Sequence, residues 1–139
     1  MTDKIRITVE TTVDAPVEKA WQCWTTPECI MQWNAASDDW HTPSATVDLR
    51  EGGVFTFRME AKDGSAGFDF AGTFTKVIPN EALEYSFGDR TTTVTFENHG
   101  SHTHIVETFD AETENSVEMQ RHGWQAILDN FKKHTESQE

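Results

Sequence analysis

Glu107 is the residue of this 139-residue sequence with the clearest chemical prospect. It alternates with Ile105 and Phe109 in a strand-like run, so it can share their face. A carboxyl turned into an apolar pocket has its pKa raised and can serve as a general acid or base. Ionised groups are rarely buried without partners. The sequence alone therefore favours a Glu107 turned to water, or paired with Arg or His, and leaves it a weak catalytic candidate. His122 falls off the centre of an apolar helical stripe and reads as a surface histidine, reaching at most a pocket rim. His99, His102 and His104 cluster at one hairpin, and two of them share a strand face where imidazoles could hold a metal. No further ligand has the spacing to complete that site. Cys23 and Cys29 sit among apolar residues, where a free cysteine behaves as a small hydrophobe. They are too few for a disulfide framework and lack metal-ligand spacing. No nucleophile elbow, phosphate loop, dinucleotide fingerprint or H-E-x-x-H motif occurs. The expectation is no cofactor and no metal.

The bulk properties narrow the partners. Net charge is −13, and the 11 Lys and Arg form no basic cluster. Nucleic-acid backbones and anionic lipid surfaces are therefore poor partners. Hydrophobic residues make up 36% of the chain and no apolar run approaches membrane-spanning length. That content excludes a disordered chain. Met1 to Arg6 carries no apolar signal-like run, so the reading is cytoplasmic.

The elements that must position these residues read as one domain over residues 1–139. Ile5, Ile7 and Val9 alternate with polar residues as a first strand, which Asp14-Ala15-Pro16 stops. Val17, Ala20, Trp21 and Trp24 give a short amphipathic helix. Thr26-Pro27 opens a second short helix carrying Ile30, Met31 and Trp33. Residues 34–44 read as a loop, polar except for Trp40. From Thr46 the pattern has period two, broken at Gly52-Gly53, Asp63-Gly64, Pro79-Asn80, Gly88-Asp89 and Asn98 to Gly100. Connections so short join antiparallel neighbours. Val117, Trp124, Ile127, Leu128 and Phe131 then form the stripe of one long helix. The pattern predicts an α+β helix-grip fold. A curved antiparallel sheet of about seven strands wraps a long C-terminal helix, with two short helices after the first strand.

The predicted inward face carries Phe55, Phe57, Met59, Phe68, Phe70, Phe74, Tyr85, Phe87, Phe96 and Phe109. The helix opposes these with Trp124, Ile127 and Phe131. Rings on a strongly curved sheet cannot all reach one straight helix. Either they fill the interior, or they line a concave apolar pocket suited to a small ligand. Trp33 and Trp40 flank the loop at the expected mouth and are candidate gate residues, with ordinary packing of the short helices as the alternative. Arg58 and Asp69 can pair across the Asp63-Gly64 turn.

Five stretches carry a family resemblance. They are Thr12 to Trp21, Pro27 to Trp33, Asp48-Leu49-Arg50-Glu51-Gly52-Gly53-Val54-Phe55, Gly72-Thr73-Phe74 through Ile78-Pro79, and His122-Gly123-Trp124 with Leu128. Together they span nearly the whole chain. In that order they resemble the activator of heat-shock-protein-90 ATPase homologue family. It belongs to the superfamily of START lipid-transfer domains, birch-pollen allergens and polyketide cyclases. The resemblance implies the helix-grip fold and a cavity that holds apolar or aromatic ligands. The eukaryotic co-chaperone carries a further N-terminal chaperone-binding domain, so ATPase activation does not carry over. Three functions follow as expectations. The first is non-catalytic binding of a small hydrophobic, ring-containing molecule, oriented by Glu107, Tyr85 and Arg58. The second is a protein–protein module, a chaperone accessory or stress-response partner. The third is a cyclase or aromatase type of enzyme using Glu107.

Overall fold

In a computed structural model, residues 5–35 and 37–137 are described; part of the amino-terminal stretch, residue 36 of the polar loop and the last two residues lie outside that range. Seven strands and three helices follow one another. They are β1 (Arg6–Val13), α1 (Val17–Thr25), α2 (Pro27–Trp33), β2 (Trp40–Val47), β3 (Val54–Ala61), β4 (Gly67–Ile78), β5 (Ala82–Phe87), β6 (Arg90–Asn98), β7 (Thr103–Asp110) and α3 (Val117–Ser137). The strands form one sheet in the order β1-β7-β6-β5-β4-β3-β2, every pair antiparallel. The curled sheet grips α3, as the period-two pattern and the terminal stripe predict. Ile5 precedes the first strand and is exposed, whereas Ile7, Val9 and Val13 are buried.

The sequence reading misplaced β2, which begins inside the stretch taken for a loop. It is an edge strand of largely polar sequence. Its Pro43 lies where the pairing register shifts between His41 and Ser44, a position that needs no ladder donor. An edge strand that faces water has little apolar alternation to reveal it.

The other edge is covered. Lys132 Nζ donates to the Thr12 carbonyl at 2.8 Å and Gln125 Nε2 to the Glu10 carbonyl at 3.2 Å. The Asp14 N–H donates to Glu136. These bonds lay α3 along β1 and occupy edge carbonyls that would otherwise template aggregation. Beneath them Leu128, Phe131 and Thr135 are fully buried. Phe131 packs edge-on against Trp24 and Trp33, with centroids at 4.7 and 5.0 Å. Geometry of this kind adds about 0.5–1.5 kcal/mol per pair beyond area burial. The same contacts hold the α1–α2 hairpin over one end of the sheet.

Candidate functional site

The space between sheet and helices is not filled. A cavity of about 270 Å³ remains. Phe55, Phe57 and Met59 on β3, with Phe70 and Phe74 on β4, form its floor. Leu83 and Tyr85 on β5 and Glu107 on β7 continue that surface. Trp24, Ile30 and Trp33 from the helical hairpin and Trp124 and Ile127 from α3 face them. Phe68, 49% exposed, and Arg90 complete the outer part of the lining.

Phe55 is the hub of the floor. Its ring lies 5.0–5.7 Å from those of Phe57, Phe70, Phe74 and Tyr85. The opposite position on β4 is Gly72. A Cβ there would stand 2.8 Å from the Phe55 ring and 2.5 Å from the Ser86 carbonyl oxygen. Glycine at 72 therefore lets the sheet close tightly onto the hub ring.

Four rings expected on the cavity wall are absent from it. Phe96 is buried against Trp21 and Trp24, at 5.3 and 5.8 Å. Phe109 is capped by Trp124. Phe131 is enclosed by the two hairpin tryptophans. Phe87 packs on Phe70 and carries the Arg90 guanidinium 4.6 Å above its face. In each case a partner ring or cation fills the space the sequence left open. Conversely Trp24, Thr25, Ile30, Asn34, Val47, Leu83 and Arg90 line the cavity and were not singled out. Trp24 and Ile30 carry an apolar helical signal; Arg90, the first residue of β6 beside the Gly88-Asp89 turn, carries none.

The tryptophan gate divides. Trp33 is buried, lines the cavity and donates its indole N–H to the Cys23 carbonyl at 2.9 Å. Trp40 pairs with Phe68 at 6.0 Å and faces a separate, more polar hollow beside α2. Arg58 does pair with Asp69, and more closely with Glu60, at 3.5 and 2.8 Å, but it does not line the cavity. Arg90 stands there instead.

Glu107 points inward, against the expectation of an outward or paired group. It is 5% exposed, and no ion pair reaches it among the described residues. Its strand neighbours in register are Val9 and Val94. Burial away from water pushes its pKa up to about 8, so the carboxyl is mostly neutral at pH 7 and can donate a hydrogen bond. Burial also raises the Tyr85 phenol, with the charge of Glu107 as a second cause. Ionising either group disfavours ionising the other.

The remaining candidates stay outside. His122 is exposed. His99 and His102 stack on one another, and His99 reaches Glu97. His104 reaches Thr12 and Glu10 on β1.

The sequence profile of the activator of Hsp90 ATPase homolog 1-like proteins matches residues 14–136. The chain belongs to that family. The solution structure of an AHSA1-like protein from Aeromonas hydrophila shares 47% identity over 96% of this chain and 93% of its own, with a TM-score of 0.89. A Cytophaga hutchinsonii protein shares 50% over 94% and 92%, with a TM-score of 0.82. A Nitrosomonas europaea protein at 19% identity, covering 96% of each chain, has the same fold, with a TM-score of 0.81. No curated protein matches. The activator-homolog family thus fixes fold and kinship, and the cavity is the feature of this member open to chemistry. No helix among the described residues is long and apolar enough to cross a membrane.

Proposed function

We propose that the chain binds a small, neutral, ring-containing hydrophobic molecule in this cavity and performs no reaction on it. One observation carries the reading. The walls are mostly rings and aliphatic side chains, with Arg90 in the outer part, and the buried carboxyl of Glu107 is held mostly neutral near pH 7 by burial, with no ion pair to it among the described residues. A dry cavity of about 150 Å³ takes one benzene ring, so 270 Å³ suits one to two rings. Affinity would come from apolar burial at roughly 25 cal/mol per Å², less the cost of immobilising the ligand. Glu107 would donate to an acceptor such as a carbonyl, which fixes orientation. Two free thiols fit a reducing, cytoplasmic setting.

Titration of the ¹³C,¹⁵N-labelled chain with benzophenone, naphthalene and a medium-chain fatty acid, followed by NMR, tests the reading. Expected are saturable shifts at Phe57, Phe70 and Trp124 with the ring compounds, strongest for the ketone. Glu107→Gln keeps a neutral donor and should retain ketone binding. The reading fails if none of the ring compounds moves these resonances.

A further inference from the structure

Outside the ring-lined cavity, the three helices meet at a second cluster. Cys23 lies on the buried face of α1, Cys29 on α2 and His134 in the last turns of α3. The two thiol sulfurs and an imidazole nitrogen all lie within 4.8 Å of one another. The helix break at Thr26-Pro27 folds α2 back so that the cysteines face each other. His134 follows Phe131 by three residues and so shares its helix face. Phe131 is locked between Trp24 and Trp33. The register of α3 against the hairpin is therefore set by rings, and the histidine is delivered to the thiols as a consequence.

His134 Nε2 is buried and has no hydrogen-bond partner among the described residues. A buried polar atom left unpaired needs an explanation, and an absent ion is one of the standard ones. The hollow beside α2, of about 480 Å³, is lined by His134 together with Trp33 and Asn34 and gives a path from the surface. Asn34 Nδ2, in the same wall, is also buried without a partner.

We propose that Cys23, Cys29 and His134 form a binding site for a thiophilic divalent cation, with zinc the matched ion and a fourth position open toward the hollow. Two sulfurs and one imidazole are a donor set for borderline-soft metals, and zinc accepts it without geometric demand. Zn–S near 2.3 Å and Zn–N near 2.0 Å place two sulfurs and one nitrogen of a tetrahedral site about 3.5–3.8 Å apart. The three atoms lie within 4.8 Å of one another and would draw together to that separation as the ion binds. On binding, each S–H bond breaks as an S–Zn bond forms, and two protons leave to solvent. The two thiolates cancel the charge of the ion, which suits a buried location. The metal would clip the α1–α2 hairpin to α3.

The test uses the full chain, kept reduced, titrated with Zn²⁺ and with Co²⁺ as a spectroscopic stand-in. One equivalent should bind. The cobalt form should show sulfur-to-metal charge-transfer absorption, and zinc should raise the thermal midpoint. Cys29→Ser and His134→Gln avoid the more deeply buried Cys23. Each should keep a folded NMR spectrum and lose at least tenfold in zinc affinity. Both variants should still bind the ring compounds, which separates this site from the cavity. Absent cobalt charge transfer in the reduced wild-type chain overturns the proposal. So does undiminished zinc affinity in both variants, or a Cys23–Cys29 disulfide that forms while the reduced chain takes up no metal.

Discussion

Trp124 on α3 lies flat against Phe109 on β7, ring centroids 3.7 Å apart and planes within 10°. This stack ties the gripping helix to the strand that carries Glu107, and its other side borders the cavity. It also explains why Phe109 is fully buried while Trp124 stays in the lining.

Truncating the covered partner should therefore loosen the grip. Phe109→Ala is expected to cost about 3–5 kcal/mol, the range for large aromatic residues in cores. Urea unfolding, read from the midpoint at unchanged m-value, checks this. A loss under about 1 kcal/mol would mean that the stack contributes little.

Glu107 makes stability depend on pH in a direction opposite to that of most carboxylates. Its folded pKa, about 8, lies above its ordinary value of 4.5. Below pH 4.5 both states hold the proton and the group costs nothing electrostatic. As pH rises toward 8 the unfolded chain loses its proton first, so stability falls across that window, by up to roughly 5 kcal/mol. Glu107→Gln should remove that decline. Denaturation midpoints of both proteins at pH 5 and pH 8 measure it; parallel pH profiles would contradict the assignment.

Gly72 has no room for a side chain. Gly72→Ala should push the Phe55 ring into the cavity and strain the β4–β5 pairing, costing about 1–3 kcal/mol. Benzophenone affinity should fall with it. A neutral substitution, by thermal unfolding, would show that the sheet yields more easily than the close contacts imply.

Phe68 separates binding from folding. It is half exposed and paired with Trp40 alone among the rings. Phe68→Ser should change stability by less than about 1 kcal/mol yet weaken ring-ligand affinity about fivefold, the worth of one partial ring contact. Calorimetric titration beside a urea curve gives both numbers.

Much of this was legible in the residues. Period-two runs marked β3 to β7 and the apolar stripe marked α3, because one-sided burial writes itself into spacing. Two features had no such signature. Strand β2 is an edge and mostly polar, so nothing in His41 to Ala45 alternates. Which rings line the cavity and which fill the core depends on curvature: Phe96 and Phe57 look alike in sequence, yet Trp21 and Trp24 cover only the first. The alternation of Glu107 with Ile105 and Phe109 allows it to face inward, but its neutral state follows from burial, a fact of packing alone. Cys23 and Cys29 alone lack metal-ligand spacing, and nothing in the sequence joins them to His134, because the cluster spans a helix break and a separation of roughly a hundred residues.

Filling the cavity tests the central claim most directly. Val47 lines it from the half-buried edge strand β2, so Val47→Trp should occupy the space while the chain stays folded. Benzophenone should bind the wild-type chain saturably, shift Phe57, Phe70 and Trp124, and fail to bind the folded variant. Equal binding by both proteins, or shifts confined to surface residues, would contradict a ligand held among these rings.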